Sequence, residues 1–399
     1  PNKAFVASAH DGETAALYVY DIATDSFEKE LFRSEVSDVY GVAQRAEDGA
    51  ALGVIFAEND ADIHWFGDNF ARHVLDQVKK ALPGYSVTLK SLNANDTHSV
   101  IFAEKGNSPG QYYMYDHDAG SLVALPPQYP SLEGMKMGQT FVTSYAARDG
   151  LEIPAYITLP PSYSSLEEAE DLPFIVLPHG GPNARTFTGF DWEVQFLVSR
   201  GYGVLEMNFR GSSGYGQGFR EAGDREWGQA MQDDITDGTK WLIDQGFAAT
   251  NRIAIMGHSY GGYAALMGVV KTPDLYQCAV THGAVTDLPR LIRHETQFVG
   301  GKYWTRRIGR LWGDREMLRE NSPALRAAEI KVPVLLFHGE EDRVVIVDQT
   351  ERMVSGLKRQ GKEHIYVELP KGSHYLNVGN NRLIFLKKTE AFLGECLAN

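Results

Sequence analysis

A serine in a tight glycine-rich turn is the strongest chemical signal in the sequence. Ser259 is the central residue of Gly257-His258-Ser259-Tyr260-Gly261, an instance of the pattern G-x-S-x-G. An apolar run of strand length, 253–256, precedes the motif, and a helix-forming stretch, 263–270, follows it. In this context the turn exposes a nucleophilic hydroxyl, and the helix amino terminus offers N–H groups to a developing negative charge. We therefore predict that Ser259 is a nucleophile; an incidental serine in a glycine-rich turn is the alternative.

The nucleophile needs a base to take its proton and an acid to orient that base. In a strand–turn–helix arrangement the chain order is Ser, acid, His. Asp342 and His374 fit this order, and each follows an apolar run of strand length and a short loop. The competing side chains are Glu340, Glu341 and His338. Because His338 precedes the acid, its order is wrong for the base.

Two backbone N–H groups must bind the oxyanion that forms during acyl transfer. The residue after the nucleophile supplies one, so we predict the Tyr260 N–H. The loop His179-Gly180-Gly181-Pro182 follows the apolar run 174–177 and matches the glycine-rich loop that supplies the other. We expect the Gly181 N–H to be this donor, with Gly180 as the alternative and a plain turn as the non-functional interpretation.

The first 130 residues have the pattern of strands and turns. Three β-rich segments end in Asp21, Asp68 and Asp116, which are 47 and 48 residues apart. This spacing is close to the period of β-propeller blades, and generic hairpins are the alternative. A stretch with helical periodicity, 68–82, interrupts the pattern, so we expect a helix inserted between blades.

From about residue 130 onward, short apolar runs alternate with helical patterns. Such alternation predicts a mainly parallel, doubly wound sheet with reactive groups at the carboxyl ends of its strands. We therefore predict two domains: a partial propeller of about three blades at 1–130 and an α/β catalytic domain at 131–399.

The segment from about residue 140 to the end resembles the catalytic domain of the prolyl oligopeptidase family of serine peptidases, and most of all its acylaminoacyl- and dipeptidyl-peptidase branch. The motifs that carry the resemblance are His179-Gly180-Gly181-Pro182, the segment 208–216, Asp233-Asp234, the segment 257–262, His338-Gly339 with Asp342, and Gly372-Ser373-His374. The resemblance implies an α/β-hydrolase fold preceded by a β-propeller. It also implies Ser259, Asp342 and His374 as a catalytic triad that cleaves short peptides through an acyl-enzyme.

One feature departs from the family, whose members have a complete propeller. Only about three blades are visible, and open strand edges favour pairing with another chain. We therefore expect self-association or a missing amino-terminal segment that completes the propeller, and we expect this chain to be the carboxyl-terminal part of a longer protein. Two rival functions remain open: a carboxylesterase of the same fold, and a non-catalytic module that binds partners through the propeller edges.

Composition excludes several other classes of function. The chain has 399 residues and a formal charge of −14, and an acidic chain without a basic stripe is a poor binder of nucleic acid. No apolar run reaches the length of a membrane span, so we expect no membrane partner. The two cysteines, Cys278 and Cys396, require no disulfide framework and cannot form a thiolate zinc site. We predict no metal, no cofactor and a cytoplasmic location.

The segment 281–314 is the candidate for a specificity pocket. It contains the aromatic residues Phe298, Tyr303, Trp304 and Trp312 and the arginines 290, 293, 306, 307 and 310. One hypothesis is an aromatic pocket in which an arginine binds a substrate carbonyl or carboxylate through its forked donors. The alternative is a surface helix with solvated arginines.

Overall fold

The computed structural model describes residues 2–45, 49–58, 61–93 and 97–398. The strands are β1 Lys3–Ser8, β2 Ala16–Asp21, β3 Ser26–Phe32, β4 Val39–Gln44, β5 Ala51–Ala57, β6 Ala61–Trp65, β7 Ser86–Leu92, β8 His98–Glu104, β9 Gln111–Asp116, β10 Ser121–Ala124, β11 Gln139–Ala146, β12 Glu152–Leu159, β13 Leu172–Val176, β14 Gly203–Met207, β15 Ala248–His258, β16 Cys278–His282, β17 Val334–Gly339 and β18 His364–Leu369. The helices are α1 Phe70–Ala81, α2 Trp192–Ser199, α3 Gln217–Glu221, α4 Ala230–Asp244, α5 Tyr260–Lys271, α6 Leu288–Glu295, α7 Gly301–Arg307, α8 Arg315–Glu320, α9 Asp348–Arg359 and α10 Gly379–Cys396. Single 3₁₀ turns cover Pro130–Leu132, Leu166–Glu168, Pro323–Leu325 and Ala327–Glu329.

The carboxyl-terminal strands form one eight-stranded mixed sheet in the order β11-β12-β14-β13-β15-β16-β17-β18. From β14 to β18 all neighbouring strands are parallel, whereas β12 and β14 are antiparallel. The central strands β13, β16 and β17 are buried along most or all of their length, as expected of strands covered on both faces. The predicted mainly parallel sheet is therefore confirmed.

The register of this sheet aligns the strand ends that precede the candidate catalytic residues. His258, the last residue of β15, pairs with His282 of β16, and His282 pairs with Phe337 of β17. Gly339, the last residue of β17, pairs with Leu369, the last residue of β18. The chain therefore leaves β15, β17 and β18 at the same edge of the sheet.

Three small antiparallel sheets contain the amino-terminal strands: β1-β2-β3, β4-β5-β6 and β10-β9-β8-β7. Asp21 and Asp116 are equivalent in them, since each ends a strand and its Oδ1 accepts hydrogen bonds from the N–H groups two and three residues later. Asp68 differs, because it lies beyond the end of β6, after Gly67 with a φ of 70°. The regular spacing therefore relates two equivalent turns, at Asp21 and Asp116, to a turn of another kind at Asp68.

The predicted helical interruption is confirmed as α1. The Asn69 side chain caps its amino terminus by accepting a hydrogen bond from Arg72 N at 3.0 Å. The helix ends at Ala81, just before Pro83-Gly84. Val74 and Val78 are buried as the periodicity predicts, but Phe70 is exposed.

Two compact units divide the chain. One consists of Pro1–Thr140, Phe187–Ser199 and Ser213–Gly218, and the other of Phe141–Thr186, Arg200–Ser212 and Phe219–Asn399. The predicted boundary after residue 130 thus differs from the observed division at 140. One reason is that the Asn107 side chain of the first unit donates hydrogen bonds to the carbonyls of Met137 and Gly138. Phe187–Ser199 and Ser213–Gly218, which were predicted to belong to the catalytic domain, are part of the first unit. Their grouping depends on contacts between residues that are distant in the sequence.

A disulfide joins Cys278, at the start of β16, to Cys396, at the end of α10. The sequence did not call for this bond, because 118 residues separate the two cysteines. Folding brings their Cα atoms to 6.3 Å. The disulfide attaches the carboxyl-terminal helix to the central sheet. The cytoplasmic location stays a prediction, and disulfides are uncommon in that compartment.

Breaking this disulfide should lower the stability of the protein. We expect the melting temperature of Cys396→Ser to fall by roughly 5–10 °C, because a cross-link over a long loop typically contributes about 2–4 kcal/mol. Differential scanning calorimetry with and without dithiothreitol measures the effect. The double variant Cys278→Ala/Cys396→Ser is the control and should not respond to the reductant. An unchanged melting temperature of the native chain in dithiothreitol would contradict the prediction.

Within the described residues, no helix combines the length and the apolar character that a membrane span requires.

Candidate active site

Ser259 occupies the junction between β15 and α5 in a strained backbone conformation. Its φ of 56° and ψ of −119° lie outside the regions that a residue with a side chain ordinarily adopts. The turn is tight: a Cβ atom at Gly257 would lie 2.4 Å from the Gly261 carbonyl carbon. The Ser259 N–H donates to the His282 carbonyl of the neighbouring strand at 2.9 Å, which attaches the turn to the sheet. A turn of this kind presents its side chain at the end of the strand.

Asp342 and His374 form a hydrogen-bonded pair. The His374 Nδ1 lies 2.7 Å from Asp342 Oδ2, while Asp342 Oδ1 accepts hydrogen bonds from the N–H groups of Val344 and Val345 at 2.8 and 2.9 Å. Burial acts to raise the pKa of Asp342, but His374 and the two N–H donors outweigh it and hold that pKa below its ordinary value. The carboxylate is thus ionised and fixed, and His374 donates its Nδ1 proton to it. The other ring nitrogen of His374, Nε2, takes no part in this hydrogen bond.

Of the competing residues, His338 also lies near the acid, with its Nε2 3.4 Å from Asp342 Oδ2, but both of its ring nitrogens have closer partners. His338 is fully buried, and its Nε2 donates to the Val345 carbonyl at 2.8 Å while its Nδ1 lies 2.8 Å from the Thr350 hydroxyl. Burial also lowers its pKa. Glu340 and Glu341 are exposed. His374 is therefore paired with Asp342 and not with either glutamate.

Gly283 connects the nucleophile turn with this pair, a connection that the sequence analysis missed. It follows His282, the acceptor of the Ser259 N–H, and has a φ of 57°. A Cβ atom at Gly283 would lie 3.2 Å from Asp342 Oδ2 and 3.3 Å from the His374 ring. A glycine directly after an apolar strand was the only available signal. Gly283 therefore lets the acid–base pair approach the end of β16.

His282 and His258 form a second histidine contact near the site. Their Nδ1 atoms are 3.3 Å apart, and His282 is almost completely buried. Burial, and after it the nearness of three other histidines, holds the pKa of His282 well below its ordinary value. His282 is therefore neutral, and its role here is to present its carbonyl to Ser259.

The glycine-rich loop lies directly against the nucleophile. A Cβ atom at Gly180 would be 3.5 Å from the Ser259 Cβ, and Gly181 has a φ of 119°, which favours glycine. His179 Nδ1 donates to the Gly180 carbonyl at 2.7 Å, and burial lowers the pKa of His179 to about 4. The carbonyl of Gly180 and the N–H of Gly181 belong to one planar peptide unit and point in opposite directions. By holding the carbonyl, His179 also orients the Gly181 N–H.

Residues 188–399 match the model of the prolyl oligopeptidase family. This segment contains Ser259, Asp342 and His374, and it covers more than half of the chain. The chain belongs to the prolyl oligopeptidase family. Its membership in this family of serine peptidases confirms the resemblance that the motifs indicated.

Similar proteins in this family are peptidases. The chain is 32% identical over 399 residues to dipeptidyl aminopeptidase BIII of Pseudoxanthomonas mexicana, an alignment that covers 96% of this chain and 56% of that enzyme. It is 28% identical over 230 residues to the acylamino-acid-releasing enzyme of Mus musculus, covering 55% of this chain and 31% of that protein. A solved structure of a puromycin-hydrolysing peptidase from Mycobacterium tuberculosis matches with a TM-score of 0.81 and 25% identity, covering 100% of this chain and 60% of the other. This chain therefore spans 56% of the length of the Pseudoxanthomonas mexicana enzyme.

Arg210 has a structural role in this prolyl oligopeptidase family member. Its guanidinium binds the buried Asp234 of α4 at 2.8 Å and Asp149 at 2.7 and 2.9 Å. The hydrogen bond from Arg210 lowers the pKa of Asp149 to about 2. One arginine thus links the loop after β14, the helix α4 and the turn between β11 and β12.

The Asp149–Arg210 pair should stabilise the protein above about pH 4 and lose its effect in acid. The pKa of Asp149 is lower in the folded state than its ordinary value of 3.8, so the contribution is complete above that value and disappears as the pH falls toward 2. We expect Asp149→Asn to lower the melting temperature by roughly 1–3 °C at pH 7 and by less than about 0.5 °C at pH 2, where about half of the native carboxyl is protonated. Thermal unfolding from pH 2 to 7 tests this, with Asp274→Asn as the control, because Asp274 pairs with Lys331 but is 80% exposed. A difference at pH 2 as large as the one at pH 7 would contradict the assignment.

The region 281–314 provides one wall of a pocket. Trp304 and Arg307 line it, whereas Phe298 and Trp312 are exposed. Arg290 does not line this pocket and forms an ion pair with Asp348. Of the aromatic residues and arginines in the sequence hypothesis, Trp304 and Arg307 are therefore the two that line this pocket.

In the part of the chain that the structure describes, no three side chains of His, Cys, Asp or Glu are grouped so that they could hold a metal ion.

Proposed function

We propose that this chain carries the catalytic site of a serine peptidase that hydrolyses short peptides, with Ser259, His374 and Asp342 as its triad. The observation that supports this most strongly is the His374–Asp342 hydrogen bond of 2.7 Å. Gly283 lies against this pair and directly follows His282, whose carbonyl accepts the N–H of the strained Ser259. Family membership and the dipeptidyl- and acylamino-peptide activities named for its relatives also support it.

In the proposed reaction the Ser259 Oγ attacks the carbonyl carbon of the scissile amide. The Ser259 proton passes to His374 Nε2, and Asp342 stabilises the imidazolium that forms. The imidazolium then gives this proton to the leaving amine as the C–N bond breaks, which leaves an acyl ester on Ser259. Water, deprotonated by His374, hydrolyses this ester and regenerates the serine.

The N–H groups of Tyr260 and Gly181 are the proposed donors to the oxyanion. Tyr260 is the first residue of α5, so its N–H has no partner within the helix. The Gly181 N–H is oriented through the hydrogen bond between His179 and the Gly180 carbonyl. The Tyr260 N–H directly follows Ser259 in the chain, and Gly180, which precedes the Gly181 N–H, lies against the Ser259 side chain.

The test is labelling by a fluorophosphonate, which reacts with an activated serine. We expect intact mass spectrometry to show one adduct on the native chain and none on Ser259→Ala. Hydrolysis of peptide anilides compared with nitrophenyl esters then separates a peptidase from the rival carboxylesterase. Labelling of Ser259 with ester turnover and no amide turnover would favour the esterase. Absence of labelling would overturn both enzymes and favour the interaction module.

We further propose that the three small sheets are propeller blades and that the remaining blades belong to protein sequence outside this chain. The equivalent turns at Asp21 and Asp116 support the repeat, and the 56% coverage of the bacterial relative leaves length for more blades. The intact mass of the native protein tests the proposal. A native protein of this same mass would leave either self-association or an open set of sheets.

A further inference from the structure

The segment 208–212, which directly follows β14, is hydrogen-bonded to the residues that come after the glycine-rich loop. The Asn208 side chain accepts a hydrogen bond from the Thr186 N–H at 2.7 Å and donates to the Thr186 carbonyl at 3.1 Å. The Asn183 side chain donates to the Gly211 carbonyl at 2.8 Å. The segment therefore supports the glycine-rich loop from the side of its carboxyl-terminal end.

Ser212 supports the same loop at its first residue, His179. The Ser212 side chain is fully buried, and its Oγ lies 2.9 Å from His179 Nε2 and 2.6 Å from the Phe209 carbonyl oxygen. The His179 and Phe209 rings are stacked, with their centroids 4.4 Å apart. The other ring nitrogen of His179, Nδ1, lies 2.7 Å from the Gly180 carbonyl oxygen. The imidazole is thus held between the Ser212 hydroxyl and the Gly180 carbonyl.

One arrangement of the protons gives each of these atoms a partner. His179 is neutral at pH 7, because burial lowers its pKa to about 4, so its ring carries a single N–H. A proton on Nε2 would leave the bare Nδ1 facing the Gly180 carbonyl oxygen, which is a contact between two acceptors. A proton on Nδ1 binds that carbonyl, and the bare Nε2 then accepts the Ser212 hydroxyl proton. The Phe209 carbonyl still has a donor in this arrangement, the Ser212 N–H at 3.0 Å.

We propose that Ser212 is a positioning residue for the oxyanion site: its hydroxyl keeps the proton of His179 on Nδ1, and His179 thereby fixes the peptide unit between Gly180 and Gly181. This role rests on the proposed function and adds to it a residue outside the triad and the oxyanion donors. Because the peptide unit is planar, a hydrogen bond that fixes the Gly180 carbonyl also fixes the direction of the Gly181 N–H. Ser212 thus acts on the oxyanion through His179.

Ser212→Ala should weaken the oxyanion site without removing a donor from it. The alanine leaves His179 Nε2 without its donor, so the ring proton is no longer held on Nδ1 and the Gly181 N–H loses its fixed direction. We expect kcat for a peptide anilide to fall about tenfold while KM changes less than threefold, because the oxyanion forms only in the reaction. Deleting a whole oxyanion donor costs roughly 10²–10³-fold, and here the donor stays in the chain. The inhibition constant of a peptidyl trifluoromethyl ketone, which forms an oxyanion adduct on Ser259, should rise about tenfold.

The second readout is the position of the ring proton itself. Long-range proton–nitrogen correlation spectra of the chain with isotope-labelled histidine show which ring nitrogen is protonated, and His179→Gln identifies the His179 signals by their loss. We expect the proton on Nδ1 in the native chain and a mixture of both tautomers in Ser212→Ala. Ser213→Ala is the matched control, because Ser213 is the adjacent serine and is half-buried. Its kcat and inhibition constant should stay within twofold of the native values, and its His179 spectrum should not change.

The spectrum of the native chain decides the role of Ser212 even if Ser212→Ala fails to fold: a His179 proton on Nδ1 supports it, and a proton on Nε2 overturns it. An unchanged kcat and inhibition constant in a folded Ser212→Ala would overturn this role while the peptidase proposal stands. A lower kcat with an unchanged inhibition constant would assign the loss to packing and overturn it as well. If the native chain neither cleaves the anilide nor binds the ketone, the proposed function is overturned, and the tautomer of His179 alone then shows whether Ser212 holds the loop.

Discussion

Replacing Asp342 by Asn should lower kcat for a peptide anilide by about 10⁴-fold while leaving the fold intact. Asp342 Oδ2 accepts a hydrogen bond from His374 Nδ1. In the proposed mechanism this leaves His374 Nε2 unprotonated, so that it can receive the serine proton. The amide of Asn can donate to Nδ1 instead and stabilise the opposite tautomer, in which Nε2 already carries a proton. Steady-state kinetics with anilide substrates measures the loss, and thermal unfolding checks the fold.

Glu341→Gln is the matched control for that substitution. Glu341 is the adjacent residue and is exposed, so its loss of charge should change kcat less than twofold. A loss in Asp342→Asn of less than tenfold, with the melting temperature retained, would show that His374 is oriented by another group. Such a result would remove Asp342 from the proposed triad.

Gly261→Ala should reduce kcat/KM by about 100-fold and also lower the melting temperature by several degrees. A Cβ atom at Gly261 would lie 2.1 Å from the Pro178 carbonyl oxygen. Pro178 leads directly into the glycine loop, and Gly261 lies two residues after Ser259. Relief of the clash must therefore move either the start of α5 or the loop that carries the Gly181 N–H. A displacement of about 1 Å between nucleophile and oxyanion donor is enough to cause such a loss.

Gly394→Ala is the matched control for Gly261→Ala. Gly394 lies in the same compact unit, and its substitution should stabilise the protein. Gly394 lies in α10 with open space around its Cα, so alanine should raise stability by about 0.5–1 kcal/mol and leave kcat/KM unchanged. Kinetics and thermal unfolding of both variants distinguish a steric effect at Gly261 from a general effect of replacing glycine. Native activity in Gly261→Ala would show that the turn adapts and that its geometry does not limit the reaction.

Local signals explain how far the fold could be predicted. The helix α1 was predicted because Val74 and Val78 have helical spacing and Pro83-Gly84 closes the segment. The β-rich segment that ends in Asp68, the second of the three along the chain, was predicted less well. Its Asp68 matches Asp21 and Asp116 in spacing, but Gly67 ends the strand pattern and Asn69 begins the helix. The spacing of residues in the sequence indicates where a turn occurs. It does not indicate which residues form hydrogen bonds in that turn.

Contacts between distant segments were not accessible from sequence. The disulfide depends on the packing of α10, which brings Cys396 to Cys278 across 118 residues. The ion pair of Asp224 and Arg307 depends likewise on how α7 is placed against the loop before α4. Each contact joins side chains whose sequence neighbours give no indication of the partner.

By itself the sequence determined the candidate nucleophile, acid and base and the order in which they occur. This was possible because Ser259 lies in a strand–turn–helix motif whose residue types are set by local backbone geometry, and because Asp342 and His374 each follow an apolar strand. The tertiary structure alone decided what surrounds them: the Gly283 approach to the acid–base pair, the neutral His282 and the Ser212 hydroxyl beside His179. The reason is physical. Backbone conformation depends on neighbouring residues, whereas side-chain contacts depend on the register and packing of strands and helices far apart in the chain.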